Sequence, residues 1–141
     1  MSKLEKKMQH REFVQNTITR MNMNSFQIKG LSITIVSAFL AIYAAENKIL
    51  FIIIPIPFVL LFWFLDAYYL QQERKFRGIY NDITGLTQTP LTTKIYEMNT
   101  NLYCGNKYCF FNAFKSKSIL PLYTIIIIGL TIIYCILLKQ C

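Results

Sequence analysis

The sequence predicts an all-α integral membrane protein with three transmembrane helices, an N-terminal amphipathic helix and a short basic cytosolic segment. Three observations predict this class: three long apolar runs, basic charge gathered in two segments, and a chain of only 141 residues. Apolar residue types make up 54% of the chain, so much of its surface needs lipid to cover it. A large soluble enzyme does not fit this length and composition.

Each apolar run is predicted to be one crossing. The first is 31–45, the second 49–69 and the third 119–138. A helix of about 20 residues crosses the hydrocarbon layer, so the first run is short and the others are long enough. The connection between the first two runs is too short for anything but an antiparallel hairpin, and Pro55 and Pro57 predict a bend early in the second span.

Residues 1–30 are predicted to form a cytosolic helix ahead of the first span. Ser2 and Glu5 have the spacing of a capping box, which starts a helix. The apolar side of this helix is broad and imperfect, as expected for a helix that packs on a partner or lies in the membrane plane. The polar stretch Asn22–Ser25 is a point at which the helix is expected to be interrupted before the membrane.

The distribution of charge predicts the orientation. Residues 1–30 contain six Lys or Arg and two acidic residues, and 72–118 contain seven and three, so each segment has a net charge of +4. The positive-inside rule places both segments in the cytosol. The N-terminus is therefore predicted to be cytoplasmic and the C-terminus to lie outside, with 70–118 as a basic cytosolic or interfacial segment.

Small and hydroxylic residues recur along the first span. Gly30, Thr34, Ser37, Ala41 and Ala44 are spaced at steps of four and three, which places them on one helix face. Such a face lets helices approach closely. Packing within one protomer, a seam between protomers and the lining of a pore all fit this pattern, and Thr34, Ser37 and Ala41 are the candidate pore residues.

Asp66 is the single acidic residue within the predicted spans, near the cytosolic end of the second. A carboxylate at this depth is costly unless it faces water or a partner, which makes it a candidate functional group. Two interpretations stay open. Asp66 forms an inner gate that attracts cations, or it pairs with a neighbour such as Lys29 or Arg74.

Basic residues follow the second span and precede the third. Those after the second span form a collar at the membrane exit, and those before the third are interleaved with Tyr and Phe. Both groups fit an anionic lipid surface, and both also fit phosphate pairing with base stacking on a nucleotide or oligonucleotide. The candidate ligand-binding residues are Arg74, Lys75, Arg77, Lys107, Lys115 and Lys117.

Catalytic and metal motifs are missing from the sequence. It has no phosphate-binding loop and no nucleophile beside a histidine, since His10 is the only histidine. Cys104 and Cys109 supply at most two of the four ligands of a structural zinc site. We therefore predict no enzymatic activity, no cofactor and no metal. Three helices cannot enclose a pore singly, so a channel requires a homo-oligomer.

Three stretches carry a family resemblance: EFVQNTITRMNMNSFQIKG, FLDAYYLQQERKFRGIYND and FKSKSILPLY before the last span. Together they resemble the small membrane effectors of bacterial anti-phage defence, the Hailong type in particular. The resemblance implies a multi-pass, ion-conducting homotetramer in the bacterial inner membrane, controlled by the product of a nucleotidyltransferase encoded nearby. In the Hailong type that product is a single-stranded DNA oligomer that holds the channel shut, and its loss depolarises the infected cell.

Two other functions remain open at this point. One is a non-conducting membrane adaptor whose basic face docks an acidic partner or anionic lipid, with Asp66 as a structural pair. The other is a lysis protein of the holin type, which fits the length but does not explain the long basic segment 70–118.

Overall fold

The computed structural model describes residues 2–92 and 94–140, most of which are helical and none of which form a strand. Three stretches are long and apolar enough to cross a membrane: α1, α2 with α3, and α5. The predicted all-α class with three such helices is therefore confirmed. The helices are α1 (Lys3–Glu46), α2 (Leu50–Ile53), α3 (Pro55–Thr84), α4 (Phe110–Phe114) and α5 (Leu120–Gln140), with single 3-10 turns at Thr100–Leu102 and Asn106–Tyr108.

Helix α1 is continuous over 44 residues, about 66 Å at 1.5 Å per residue. It begins with the predicted capping box, in which Ser2 and Glu5 each accept the other's backbone N–H. The expected interruption at Asn22–Ser25 was wrong. These residues cost only a few tenths of a kcal/mol each in helix propensity, and packing against α3 outweighs that. The segments 1–30 and 31–45 thus belong to one helix.

The hairpin between α1 and α3 is set by backbone chemistry. Asn47 ends α1 in the left-handed region at φ 54°. Pro55 starts α3, and α2 ends just before it, because proline has no N–H to continue the hydrogen-bond ladder. Ile54 between the two helices keeps helical backbone angles, φ −54° and ψ −41°, and the predicted bend at the prolines stays a prediction. Gly85 caps the end of α3 at φ 78°, as a C-terminal glycine is expected to do.

Helix α3 packs against both α1 and α5, and it runs through the two halves into which the molecule divides along its length. The apolar half consists of residues 25–69 and 119–140, and the polar half of residues 2–24 and 70–118. In the apolar half, α3 packs on α1 and α5 around one cluster of buried side chains. That cluster contains Val36, Ile52, Val59, Ala67, Ile119, Tyr123 and Leu130.

The polar half has a core of its own, formed where the connection after α3 folds back over α1 and α3. Its buried members are Val14, Ile79 and Tyr103. The chain can come this close because Gly78 has no side chain. A Cβ there would lie 2.5 Å from the Tyr103 ring and 2.8 Å from the Tyr108 hydroxyl.

Helix α4 is only five residues long and joins the polar half to α5. The Trp63 ring stacks on Phe114 with centroids 4.3 Å apart, and its Nε1–H donates to the Phe114 carbonyl at 3.2 Å. Trp63 also stacks on Tyr123, at 5.9 Å. These aromatic contacts fix the level at which α5 begins relative to α3.

Candidate functional site

Asp66 lies in a buried polar cluster formed by all three long helices. Its side chain is fully buried. Ser25 Oγ donates to Asp66 Oδ1, and Lys29 Nζ lies 2.9 Å from Oδ1 and 2.7 Å from Oδ2. The Tyr123 hydroxyl donates to Oδ2 at 3.3 Å. Of the two structural partners offered by the sequence, Lys29 is the one that pairs with Asp66.

The periodicity of α1 explains how the cluster assembles. Ser25 and Lys29 are one turn apart, so both side chains face the same point on α3. Lys29 Nζ also donates to Ser25 Oγ at 2.7 Å, which ties the two α1 groups together. A buried carboxylate needs this many donors, because an unpaired buried charge costs several kcal/mol. The cluster therefore sets the register of α1 and α5 on α3.

A basic groove of about 580 Å³ lies in the polar half, between α1, the end of α3 and the loop before α4. Arg74, Arg77 and Lys107 supply three cations, which come from two segments separated by a long loop. Gln15 and Asn81 add amides, and Tyr80 adds an aromatic ring. The lining residues are Gln15, Ile18, Arg74, Arg77, Tyr80, Asn81 and Lys107.

The two guanidinium groups are held in place differently. Arg74 Nη2 donates to Ser116 Oγ at 3.1 Å, a neutral partner that leaves its charge available. Arg77 Nη2 lies 2.6 Å from Oε1 of Glu73, whose side chain is 7% exposed, while that of Arg77 is 63% exposed. Lys107 Nζ lies 5.9 Å from the centre of the Tyr108 ring. The basic groove thus presents two planar guanidinium groups together with the Tyr80 ring, whereas Tyr108 lies outside its lining.

The remaining predicted basic residues lie elsewhere. Lys75 faces a separate groove with Gln71 and the loop around Gly105. Lys115 and Lys117 are exposed and line neither groove. The structure therefore brings together three of the six predicted ligand-binding residues.

The candidate pore residues Thr34, Ser37 and Ala41 are exposed on the side of α1 that faces away from α3. The residues of α1 that face α3 in this region are Ser32 and Val36, which are buried. Among the described residues of one protomer, nothing covers the hydroxylic face, and it does not meet Asp66. Of the three interpretations, packing inside the protomer is the one this placement disfavours.

No protein-family model, no curated protein and no solved structure matches this chain.

A second buried polar site holds the loop of the polar half. Asp82 Oδ2 accepts from the Tyr103 hydroxyl at 2.6 Å and from the Leu91 N–H at 2.9 Å. Burial alone would raise the pKa of Asp82, but these hydrogen bonds, with others from Thr87 and Thr92, hold it below its usual range. Burial and the Asp82 carboxylate both raise the pKa of Tyr103.

His10 on α1 contacts the same loop at Tyr96. It is buried, and its Nδ1 accepts the Tyr96 N–H at 3.2 Å. Burial lowers the pKa of His10, and a backbone hydrogen bond involving Glu97 offsets this only in part. Among the described residues, no group of three His, Cys, Asp or Glu side chains is placed to hold a metal ion.

Sequence reasoning missed several of these residues. Ser25, expected from the sequence to interrupt the helix, is instead a partner of Asp66. Tyr123 and Tyr80 were hidden among many aromatics, and Gln15 carried no signal of its own. One signal was present in the sequence. Ser25 and Lys29 have i, i+4 spacing just before the first apolar run, and the second run contains a single carboxylate, Asp66.

Proposed function

We propose that the protein is a ligand-gated ion channel, an anti-phage effector whose basic groove binds a nucleotide or a single-stranded DNA oligomer. The observation that carries the proposal is the convergence of Arg74, Arg77 and Lys107 with Tyr80 in one groove. Guanidinium groups match the bidentate geometry of phosphate, and an aromatic ring offers a stacking surface for a base. Catalytic residues are not part of this proposal.

The groove is linked to the membrane through α3. Arg74 and Asp66 lie on the same helix, eight residues or about 12 Å apart along its axis. A ligand held between α1 and α3 biases the arrangement of these two helices, and the Asp66–Lys29 pair is where they are locked together. A ligand acts as a gate only if it binds one arrangement more tightly than the other.

The conducting unit in this proposal is a homo-oligomer, a tetramer by the family resemblance. The face of α1 with Thr34, Ser37 and Ala41 is free for contact with another protomer or for lining a pore. The protein lies in the bacterial inner membrane with the polar half in the cytosol. A nucleotidyltransferase encoded nearby supplies the ligand, and channel opening depolarises the cell.

Two double variants with the same change in charge test the ligand site. Arg74→Gln with Lys107→Gln alters the groove, whereas Lys115→Gln with Lys117→Gln removes two cations outside it. We expect the first pair to weaken binding of a single-stranded DNA oligomer at least tenfold and the second less than twofold. Equal weakening would reduce the groove to a generic basic surface and contradict the proposal.

Ion flux from liposomes tests conduction directly. Purified protein should dissipate a potassium gradient, and the oligomer should change the rate in wild type but not in the Arg74→Gln, Lys107→Gln variant. Absence of flux with and without nucleotides would exclude the channel.

A non-conducting adaptor is the second candidate, and the complete pairing of Asp66 within one protomer favours it. In an adaptor, Asp66→Asn leaves cellular toxicity unaltered, provided that the protein still reaches the membrane in normal amounts. In a channel, the same substitution changes conductance or lethality. Toxicity assayed at matched protein level separates the two.

A further inference from the structure

A second groove follows the opposite side of α3 and passes from the apolar half into the polar half. Its apolar part, about 630 Å³, is lined by Leu60, Leu61, Phe64, Leu65, Tyr68 and Phe110. Its polar part, about 560 Å³, contains Lys75, Gln71 and the loop around Gly105. Phe110 lines both parts, so they meet at this ring.

The register of α3 explains why the two parts align. Phe64, Tyr68 and Lys75 are separated by four and seven residues, which places them on one helix face. The Phe64 ring packs 4.8 Å from Phe110, yet Phe64 remains 60% exposed and Tyr68 50% exposed. The groove is therefore open along its length to whatever surrounds α3.

The level of the groove follows from where α5 begins. Trp63 stacks on Phe114, and Asp66 is bonded to Tyr123 in the first turn of α5. Because α5 enters the apolar layer at this point, the layer ends on α3 close to Tyr68. Lys75 lies about 10 Å farther along the helix. Headgroups occupy roughly 5–8 Å beyond the hydrocarbon, within reach of a lysine side chain that leans back toward the membrane.

Lys75 is the collar cation for which the described residues supply neither a hydrogen bond nor an ion pair. Arg74 is bonded to Ser116, and Arg77 to Glu73. Within the described ranges, Lys75 has no carboxylate within 4.0 Å. The wall beside it is fixed, since Gln71 Nε2 donates to the Tyr108 carbonyl at 2.9 Å.

We propose that this groove binds one anionic phospholipid, with an acyl chain along Phe64 and Tyr68 and the headgroup phosphate against the Lys75 ammonium. A zwitterionic lipid fits the apolar part equally well, but its own cation competes with Lys75 for the phosphate. The inference assumes that the chain lies in a membrane and is independent of ligand gating. It separates Lys75 from the groove of Arg74, Arg77 and Lys107.

Native mass spectrometry of the detergent-solubilised full chain tests the headgroup. The lipids are phosphatidylglycerol and phosphatidylcholine with identical acyl chains, and the variants are Lys75→Gln and the control Lys117→Gln. We expect wild type to retain phosphatidylglycerol preferentially and Lys75→Gln to lower that retention about fivefold, the effect of one basic residue at an anionic surface. Lys117→Gln should behave as wild type, and retention of phosphatidylcholine should stay constant.

A phosphatidylglycerol with a photoreactive acyl chain tests the apolar part in wild-type protein. Crosslinks should map to residues 60–68 or to Phe110, and Phe64→Ala should lower retention of both lipids. Equal retention of the two lipids by wild type, no effect of Lys75→Gln, or crosslinks elsewhere would overturn the proposal. Displacement of the lipid by inorganic phosphate or by a single-stranded DNA oligomer would also overturn it, because Lys75 would then serve a soluble phosphate.

Discussion

Lys29 Nζ lies 2.7 Å from Oδ2 of Asp66, and this ion pair joins α1 to α3 at the boundary between the two halves of the molecule. Asp66 is fully buried, whereas the Lys29 side chain keeps 21% exposure. The lysine is therefore partly accessible from outside the protein, while the carboxylate is not. Loss of the pair is therefore expected to cost more when the Asp66 carboxylate is the charge left unpaired than when the Lys29 ammonium is.

Breaking this pair should destabilise the fold more than breaking an exposed one. We expect Lys29→Met to lower the free energy of unfolding by about 3 kcal/mol, because it leaves the buried Asp66 carboxylate without its counter-charge. Asp66→Asn should cost less, because the Lys29 side chain keeps 21% exposure. The double variant should cost less than the sum of the two. Lys48 and Glu46, 3.2 Å apart and both exposed, provide the matched control, worth less than about 1 kcal/mol. Thermal unfolding in detergent compares the two single variants, the double variant and the control pair. Strictly additive losses of stability at Asp66 and Lys29 would show that the two side chains do not form a stabilising pair.

Gly78→Ala should loosen the polar half. The new Cβ would lie 2.5 Å from Tyr103 Cδ1 and 2.7 Å from its Cε1, so the ring or α3 must move. Overpacking of this kind costs about 1–3 kcal/mol. Gly129→Ala is the control, since a Cβ there meets nothing within 4 Å. Limited proteolysis should cut residues 86–105 faster in the Gly78 variant alone, and equal rates would show that the loop does not depend on this contact.

Mild acid should open the loop at His10. Burial lowers the pKa of His10 below 6.5, so the neutral form is favoured by folding. The associated stability is complete above pH 6.5 and is lost as the pH falls through the folded pKa, because the unfolded chain then binds the extra proton. The hydrogen-exchange protection factor of the Tyr96 amide should fall between pH 7.5 and pH 5.

His10→Asn is the control for this prediction, since it keeps an acceptor for the Tyr96 N–H without titrating in that range. Asp82 does not interfere, because its pKa lies below its usual value of 3.8 and it stays ionised throughout. A protection factor that falls equally in His10→Asn would assign the effect to another group.

The salt dependence of oligonucleotide binding should report the number of phosphates held in the basic groove. Each phosphate contact to a single strand contributes about 0.7 to the slope of log affinity against log salt concentration. Removing Arg74 and Lys107 together should therefore reduce that slope by about 1.4, and removing Lys115 and Lys117 should leave it unchanged. Titrations at three or more salt concentrations provide the slopes, and an unchanged slope in the groove variant would argue against phosphate contact there.

The predicted orientation can be checked with the native thiols. Cys104 and Cys109 are exposed in the polar half. In a Cys135→Ser, Cys141→Ser background, a membrane-impermeant maleimide should leave intact cells unlabelled and label inside-out vesicles. Labelling of intact cells would reverse the topology and remove the basis for a cytosolic ligand.

Composition and apolar run length were sufficient to predict an all-α chain with three long apolar helices. Three runs of about membrane length in 141 residues leave few alternatives to three long helices, since backbone groups in lipid must be satisfied within a helix. The start of the first helix was equally predictable, because the capping box of Ser2 and Glu5 acts through local backbone chemistry. Helix capping depends only on residues that are close together in the chain, so a single sequence is enough to predict it.

The tertiary structure decided which groups meet. The sequence offered Lys29 and Arg74 as partners for Asp66, and only the packing of α1 on α3 selected Lys29. The sequence offered six basic residues as one set. The fold places Arg74, Arg77 and Lys107 in one groove and Lys75 in another, and Lys115 and Lys117 line neither groove. Contacts between residues distant in sequence depend on helix rotation and on the path of the connecting loop. Neither is encoded in a local pattern.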